Sequence, residues 1–165
     1  MDFTISPNEE RHFASLHAVL DVVAREQRYL AFVQAPPFEQ SLVFYRNIIA
    51  RDLCQFVALE ADELVGWCDI LPVMGESRAH IGTLGIGLLP RVRGKGLGRK
   101  LLDTTIAKAW HKGLTRIELS VRVDNPVAIA LYERIGFQHE GTRRNASLIA
   151  GRYCDTYAMA LLNPA

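Results

Sequence analysis

Residues 93–98, Arg-Gly-Lys-Gly-Leu-Gly, join an apolar strand-like run over 79–90, stopped by Pro90, to a helical run over 98–112. A helix that opens on such a loop leaves several unpaired backbone N–H groups at the positive end of its dipole. Glycine lets the backbone approach a ligand without a Cβ in the way and accepts the dihedrals that aim successive N–H groups inward. Arg91, Arg93, Lys95, Arg99 and Lys100 lie in the same ten residues, 91–100, with no acid among them. The arrangement suits a phosphate; a solvated turn with a cationic edge is the plainer alternative for the loop taken alone.

Two familiar phosphate loops fail on residue identity. Lys95 is followed by Gly96 rather than by Ser or Thr, so no hydroxyl stands ready for Mg²⁺, and Arg99 occupies the place of the third glycine in Gly-x-Gly-x-x-Gly. The formal net charge of +1 gives no field that draws the whole chain to nucleic acid or to an anionic membrane. A single basic stripe fits a small anionic ligand better.

At 165 residues, 49% of them hydrophobic, the chain is long enough for one domain over 1–165 with its own core and short for two. Ser6, Pro7 and Glu9 read as the cap, first turn and capping box of a first helix, with Phe13, Leu16, Leu20 and Val23 on one face. Phe38, Leu42, Tyr45 and Ile49 mark a second helix. Residues 55–70 read as a hairpin around an acidic turn, and Ile117, Leu119 and Val121 alternate as in a strand. Asn125, Pro126 and Gly136 start and stop a further helix, and two strands around a turn near Gly151 are expected over 138–162. This order of elements indicates a mixed α/β (α+β) chain.

Cys54, Cys68 and Cys154 are irregularly spaced, the first two in apolar runs, so free thiols in a reducing, cytoplasmic compartment are expected, with no metal site. Acids near the start of the chain and the want of a long apolar run argue against a secretory leader or a membrane span.

Two motifs bring these residues together. Arg93, Gly96 and Gly98 match [QR]xxGx[GA], and Asn125, Ala128, Leu131, Tyr132, Gly136 and Phe137 match NxxAxxLYxxxGF, with a helix and a strand between them. In this order the pair resembles the GNAT superfamily of N-acetyltransferases, over about residues 55–162, and the stretch 124–162 looks like its bacterial amino-acid and phosphinothricin-type members. The resemblance implies a mixed, mostly antiparallel central sheet flanked by helices and splayed at its central strands. It implies acetyl-CoA, held at its pyrophosphate by Arg93, Gly94, Lys95, Gly96, Leu97, Gly98 and Arg99, with the Leu88 backbone on the pantetheine and thioester and with Asn125 and Ala128 against the cofactor. It also implies Tyr132 as the general acid that protonates the CoA thiolate. Helical geometry puts Asn125, Ala128 and Tyr132 on one face, free for a ligand, and Val127, Leu131 and Ile135 on the face expected to enter the core.

Acetyl transfer needs a neutral amine, hence a base or a water chain. Glu26 between the first helices, Asp69 at a strand end, His80 at the start of the next strand and Glu118 on a polar strand face are candidates, each with a plain alternative as a solvated or strand-end group. Glu26 and His80 lead, because the N-terminal helical region builds the acceptor pocket in the family that the chain resembles. The expected acceptor is a primary amine of a small molecule such as an amino acid or analogue. Polyamines, protein N-termini and a non-catalytic acyl-CoA-binding role are the alternatives. A homodimer formed through an unpaired final strand is expected, with no nucleic-acid or membrane partner.

Overall fold

The computed structural model describes residues 2–164. Its seven strands are β1 (Phe3–Pro7), β2 (Cys54–Glu60), β3 (Glu63–Pro72), β4 (Ile81–Leu88), β5 (Arg116–Arg122), β6 (Gln138–Ile149) and β7 (Arg152–Leu162). The helices are α1 (Phe13–Arg25), α2 (Phe38–Ala50), α3 (Leu97–His111) and α4 (Pro126–Ile135). The strands form one open sheet in the order β1-β2-β3-β4-β5-β7-β6, and only β4 and β5 run parallel. The mixed, mostly antiparallel sheet expected from the sequence is therefore present.

Local rules account for several boundaries. Ala61 and Asp62, with φ of 48° and 67°, make the two-residue turn between β2 and β3, as a tight hairpin requires. Asn125 caps α4, its side chain accepting from the Ala128 N–H, and Gly136 ends the helix with φ of 116°. Along β3, Trp67 and Leu64 face a core shared with α1 and α2, and Cys68, Val65 and Ile70 a second core under α3 and α4; a bulge opposite Ala58 and Leu59 interrupts the alternation and brings Leu64 to the side of Trp67. Cys54 and Cys68 are buried and all three cysteines are free.

Four local readings are corrected. Ser6 and Pro7 do not open a helix: residues 3–7 pair along β2, and the capping box forms later, between Glu9 and His12 of a short 3₁₀ turn. Cross-strand pairing outweighs the local cap signal. Tyr45 is buried and Leu42 packs on the core as expected, but at the end of α2 it is Ile48 that is buried and Ile49 that is exposed. Val127 is 78% exposed and Tyr132 only 7%, so it is Tyr132 that faces the interior and Val127 that faces out. The last strand, β7, is paired on both sides, and the open edge beside it is β6.

Candidate active site

β4 and β5 pair only through Ile81–Thr83 and Arg116–Glu118. Beyond Thr83, β4 follows β3 and β5 follows β7, so the sheet is split at its centre. The Leu89 N–H bonds to the Val65 carbonyl across to β3. In an antiparallel ladder that alternation turns the backbone groups of Ile86 and Leu88 the other way, into the split. An extended amide chain can pair there as a strand would.

The loop that follows sits at the end of this gap. Gly94 and Gly96 hold φ of 73° and 81°, and nothing lies within 4 Å of where a Cβ would stand on either. Gly96 precedes the first residue of α3, Leu97, so the N–H groups of the first turn have no carbonyl of their own helix to bond. An open strand edge leading to an open, donor-rich helix start fits the amide arm and pyrophosphate of acetyl-CoA.

Three cations of the stripe are engaged by acids, Arg91 and Arg93 by acids from distant segments and Arg99 by one a turn along α3. Arg93 Nη1 and Nη2 bond to Glu26 at 2.8 and 2.6 Å, and its guanidinium stands 4.7 Å from the centre of the Tyr29 ring. Arg93 also donates to the Leu88 carbonyl from Nε (3.0 Å) and Nη2 (2.7 Å), fixing the end of β4. Arg91 is paired with Glu60 and Glu63, and Arg99 with Asp103. Of the acids, Glu60 and Glu63 flank the β2–β3 turn, Glu26 follows α1 and Asp103 lies one turn down α3.

α4 packs beside the loop. A Cβ on Gly98 would lie 3.5 Å from Leu131 and 3.7 Å from Leu88, so these side chains seat the two helix starts against the end of β4. The Tyr132 ring lies 5.7 Å from that of Phe137, and its hydroxyl makes no side-chain hydrogen bond among the described residues. Burial raises its pKa well above that of a free tyrosine, so Tyr132 holds its proton firmly.

On the α1–α2 side of the sheet lies a cavity of about 800 Å³, roofed by residues 30–37 and floored by Trp67, Asp69, Gln55 and Gly85. Asp69 stands opposite Gly85 of β4, and burial pushes its carboxyl pKa up to about 7, with a hydrogen bond from Gln55 opposing the rise. Gln55 Nε2 donates to Asp69 Oδ2 at 3.2 Å, and Asn8 Nδ2 donates to Gln55 Oε1 at 2.7 Å. The Asn8 contact sets which end of the Gln55 amide faces Asp69.

The four base candidates are thus separated. Asp69 lines the large cavity, whereas Glu26 is tied to Arg93 and borders a different cavity of about 400 Å³ beside Arg122 and Cys154. Glu118 is paired with Arg116 at 2.9 Å and with Arg78 at 3.8 Å. His80 precedes the first residue of β4, at the opposite end of the strand from Leu88, and is exposed. Of the four, Asp69 is the one that lines the large cavity, while Glu26 is committed to a cation and His80 is remote from the loop. Sequence reasoning did not single out Asn8 or Gln55; the available signal was a glutamine inside the apolar run of β2.

Comparison with known proteins agrees with this arrangement. Residues 16–137 match the acetyltransferase (GNAT) family, reaching further toward the N-terminus than the two motifs. The L-amino acid N-acetyltransferase AaaT of Escherichia coli is 30% identical over 145 residues, 87% of this chain and 89% of that protein. An acetyltransferase of the GNAT family from Streptococcus pneumoniae superposes with a TM-score of 0.91 at 27% identity, covering 98% of this chain and all of that one. The phosphinothricin acetyltransferase of Sinorhizobium meliloti, solved with AcCoA, shares the fold at a TM-score of 0.90 and 20% identity, over 98% of this chain and 89% of that one. The chain belongs to the GNAT family and is an acetyl-CoA-dependent N-acetyltransferase.

Proposed function

We propose that this enzyme acetylates the primary amine of a small molecule by direct attack on the thioester, with Asp69 taking the proton of the amine and Tyr132 giving one to the departing sulfur. The observation that carries the reading is Asp69 itself: a carboxyl with a pKa near 7 at the floor of a cavity, opposite Gly85 and three residues short of Leu88 along β4. A base poised near the working pH is present as carboxylate in useful amount and still accepts a proton.

Acetyl-CoA, when bound, supplies the acetyl thioester. The N–H groups of residues 94–99 hold its pyrophosphate, and the backbone of Ile86 and Leu88 holds the pantetheine. Arg93 keeps the end of β4 in place through the Leu88 carbonyl. Asn125 and Ala128 shape the start of α4 beside the cofactor, since the Asn125 oxygen already accepts from the Ala128 N–H. The amine nitrogen forms a bond to the thioester carbonyl carbon and the carbon–sulfur bond breaks. Asp69 receives the proton that nitrogen loses, and the sulfur takes the Tyr132 proton, which solvent restores.

The reading extends to one domain over the chain, in the cytoplasm, where the free state of Cys54, Cys68 and Cys154 is supported. It extends also to a homodimer joined along the exposed edge of β6, since an uncovered strand is a template for pairing.

Thiol release from acetyl-CoA across amines, amino acids, polyamines and peptides tests the reaction. Tyr132→Phe is expected to lower kcat by about 10²- to 10⁴-fold, the usual worth of a positioned acid, with CoA binding by calorimetry retained. Unchanged kcat removes Tyr132 from the chemistry; CoA binding without thiol release from any acceptor gives the chain a binding role instead.

A further inference from the structure

Resting on Asp69 as the proton acceptor, we infer that the acceptor is a primary amine carried on an aromatic or branched aliphatic body, with no carboxylate beside the nitrogen. The cavity wall is apolar over most of its extent, formed by side chains such as Leu16, Leu20, Leu30, Phe44 and Trp67. Among its described lining residues there is no Lys, Arg or His, and the one carboxylate is Asp69. The uncharged polar side chains are Gln34, Gln40, Ser41, Tyr45 and Gln55, and the last is used by Asn8 and Asp69.

A free amino acid brings its carboxylate within two bonds of the reacting nitrogen. In this cavity that carboxylate would lose water, find no cation and stand near the like charge of Asp69. Arg93, the cation of the adjoining loop, has its donors on Glu26 and on the Leu88 carbonyl. An aminium ion meets the opposite situation, with a single buried carboxylate as its partner and then as its base.

The rim of the cavity matches an apolar body. Phe32 and Val33 of the roof are 51% and 48% exposed, and Phe44 on α2 is also exposed beside them. The roof is held in place by two contacts, Asp21 accepting from the Ala35 N–H at 2.9 Å and the His17 ring bonding the Pro36 carbonyl at 2.7 Å. The exposed apolar side chains of Phe32, Val33 and Phe44 offer an aromatic or branched group a surface at the mouth of the cavity.

The experiment compares matched pairs with one body, phenethylamine against phenylalanine and tryptamine against tryptophan, with phenylalanine methyl ester, spermidine and an alanine-initiated peptide beside them. Thiol release gives kcat/KM, and calorimetry on the CoA-saturated enzyme gives acceptor binding. Each amine and the ester are expected to exceed the free amino acid by about a hundredfold or more, because a site with no partner for a charged group rejects it strongly. Gln40→Arg, which sets a cation on an exposed residue of the cavity wall, is expected to raise turnover of phenylalanine and narrow the ratio.

Equal kcat/KM within each pair overturns the inference and leaves the acetyl-transfer reading standing, as does release with spermidine or the peptide alone. Binding of the amines without thiol release supports the acceptor class and removes Asp69 and Tyr132 from the chemistry. Neither binding nor release from any acceptor overturns both.

Discussion

Gln55 Nε2 donates to Asp69 Oδ2 at 3.2 Å, and the donor end of that amide is turned toward the acid because Asn8 occupies its oxygen at 2.7 Å. The bond favours the charged carboxylate and holds down a pKa that burial has raised to about 7. Gln55→Met keeps the volume and removes the donor. The ascending limb of the kcat/KM profile, which follows deprotonation of the base, is expected to move to higher pH by about one unit, the worth of a hydrogen bond to a charged group. A profile that does not move excludes Asp69 as the group that titrates.

Asp69 costs the fold stability at neutral pH. Its folded pKa, near 7, lies above the usual carboxylate range, so the folded state keeps a proton that the unfolded chain has lost. Stability therefore falls as pH rises between the two values, and the loss is complete above the folded one. Asp69→Asn is expected to abolish turnover while stabilising the protein by about 4 kcal/mol at pH 8, with the gain vanishing near about pH 4. Thermal unfolding of both proteins across that range is the check.

Arg93 and Glu26 are coupled across 67 positions of sequence by two short hydrogen bonds. Both side chains are partly buried, so removal of either leaves a charge with reduced access to water. A double-mutant cycle with Glu26→Gln and Arg93→Gln is expected to return a coupling of about 2 kcal/mol in denaturant unfolding. Glu26→Gln should weaken acetyl-CoA binding through the loosened end of β4 and leave the pH of the ascending limb unchanged. A shifted limb would return Glu26 to the list of bases.

Gly96 and Gly98 belong to one motif and differ in what they require. Gly96 stands at φ of 81°, where a side chain is strained, whereas a Cβ on Gly98 would make ordinary contacts with Leu131 and Leu88. Gly96→Ala is expected to cost about 1 kcal/mol of stability and about tenfold in acetyl-CoA affinity. Gly98→Ala should stay within about 0.5 kcal/mol of the parent. Calorimetric titration with CoA, beside thermal unfolding, separates the two.

Much of the cofactor side was legible from residue order. Pro90 and the glycines set a loop, Asn125 and Gly136 set the ends of α4, and the Ala61–Asp62 turn closes a hairpin, because each depends on the dihedral preferences and hydrogen bonds of a few adjacent residues. The same locality explains the failures. Ser6 and Pro7 carry a helix-start signal, yet pairing with β2 decides their conformation. The face of α4 was misjudged at Val127 because helical spacing says which residues share a side and nothing of where that side is packed.

By itself the sequence determined a glycine-hinged helix start, the two motifs and the alternation of elements, since these are encoded in neighbouring residues. Only the tertiary structure decided that Glu26 neutralises Arg93 and that Glu60 and Glu63 answer Arg91. It also decided that Asp69, one of four candidate acids and bases, is the one at the floor of the cavity on the α1–α2 side of the sheet, bonded to Gln55 and through it to Asn8. The charge state of a carboxyl depends on its access to water and on the groups brought near it by folding, and neither quantity is a property of its place in the chain.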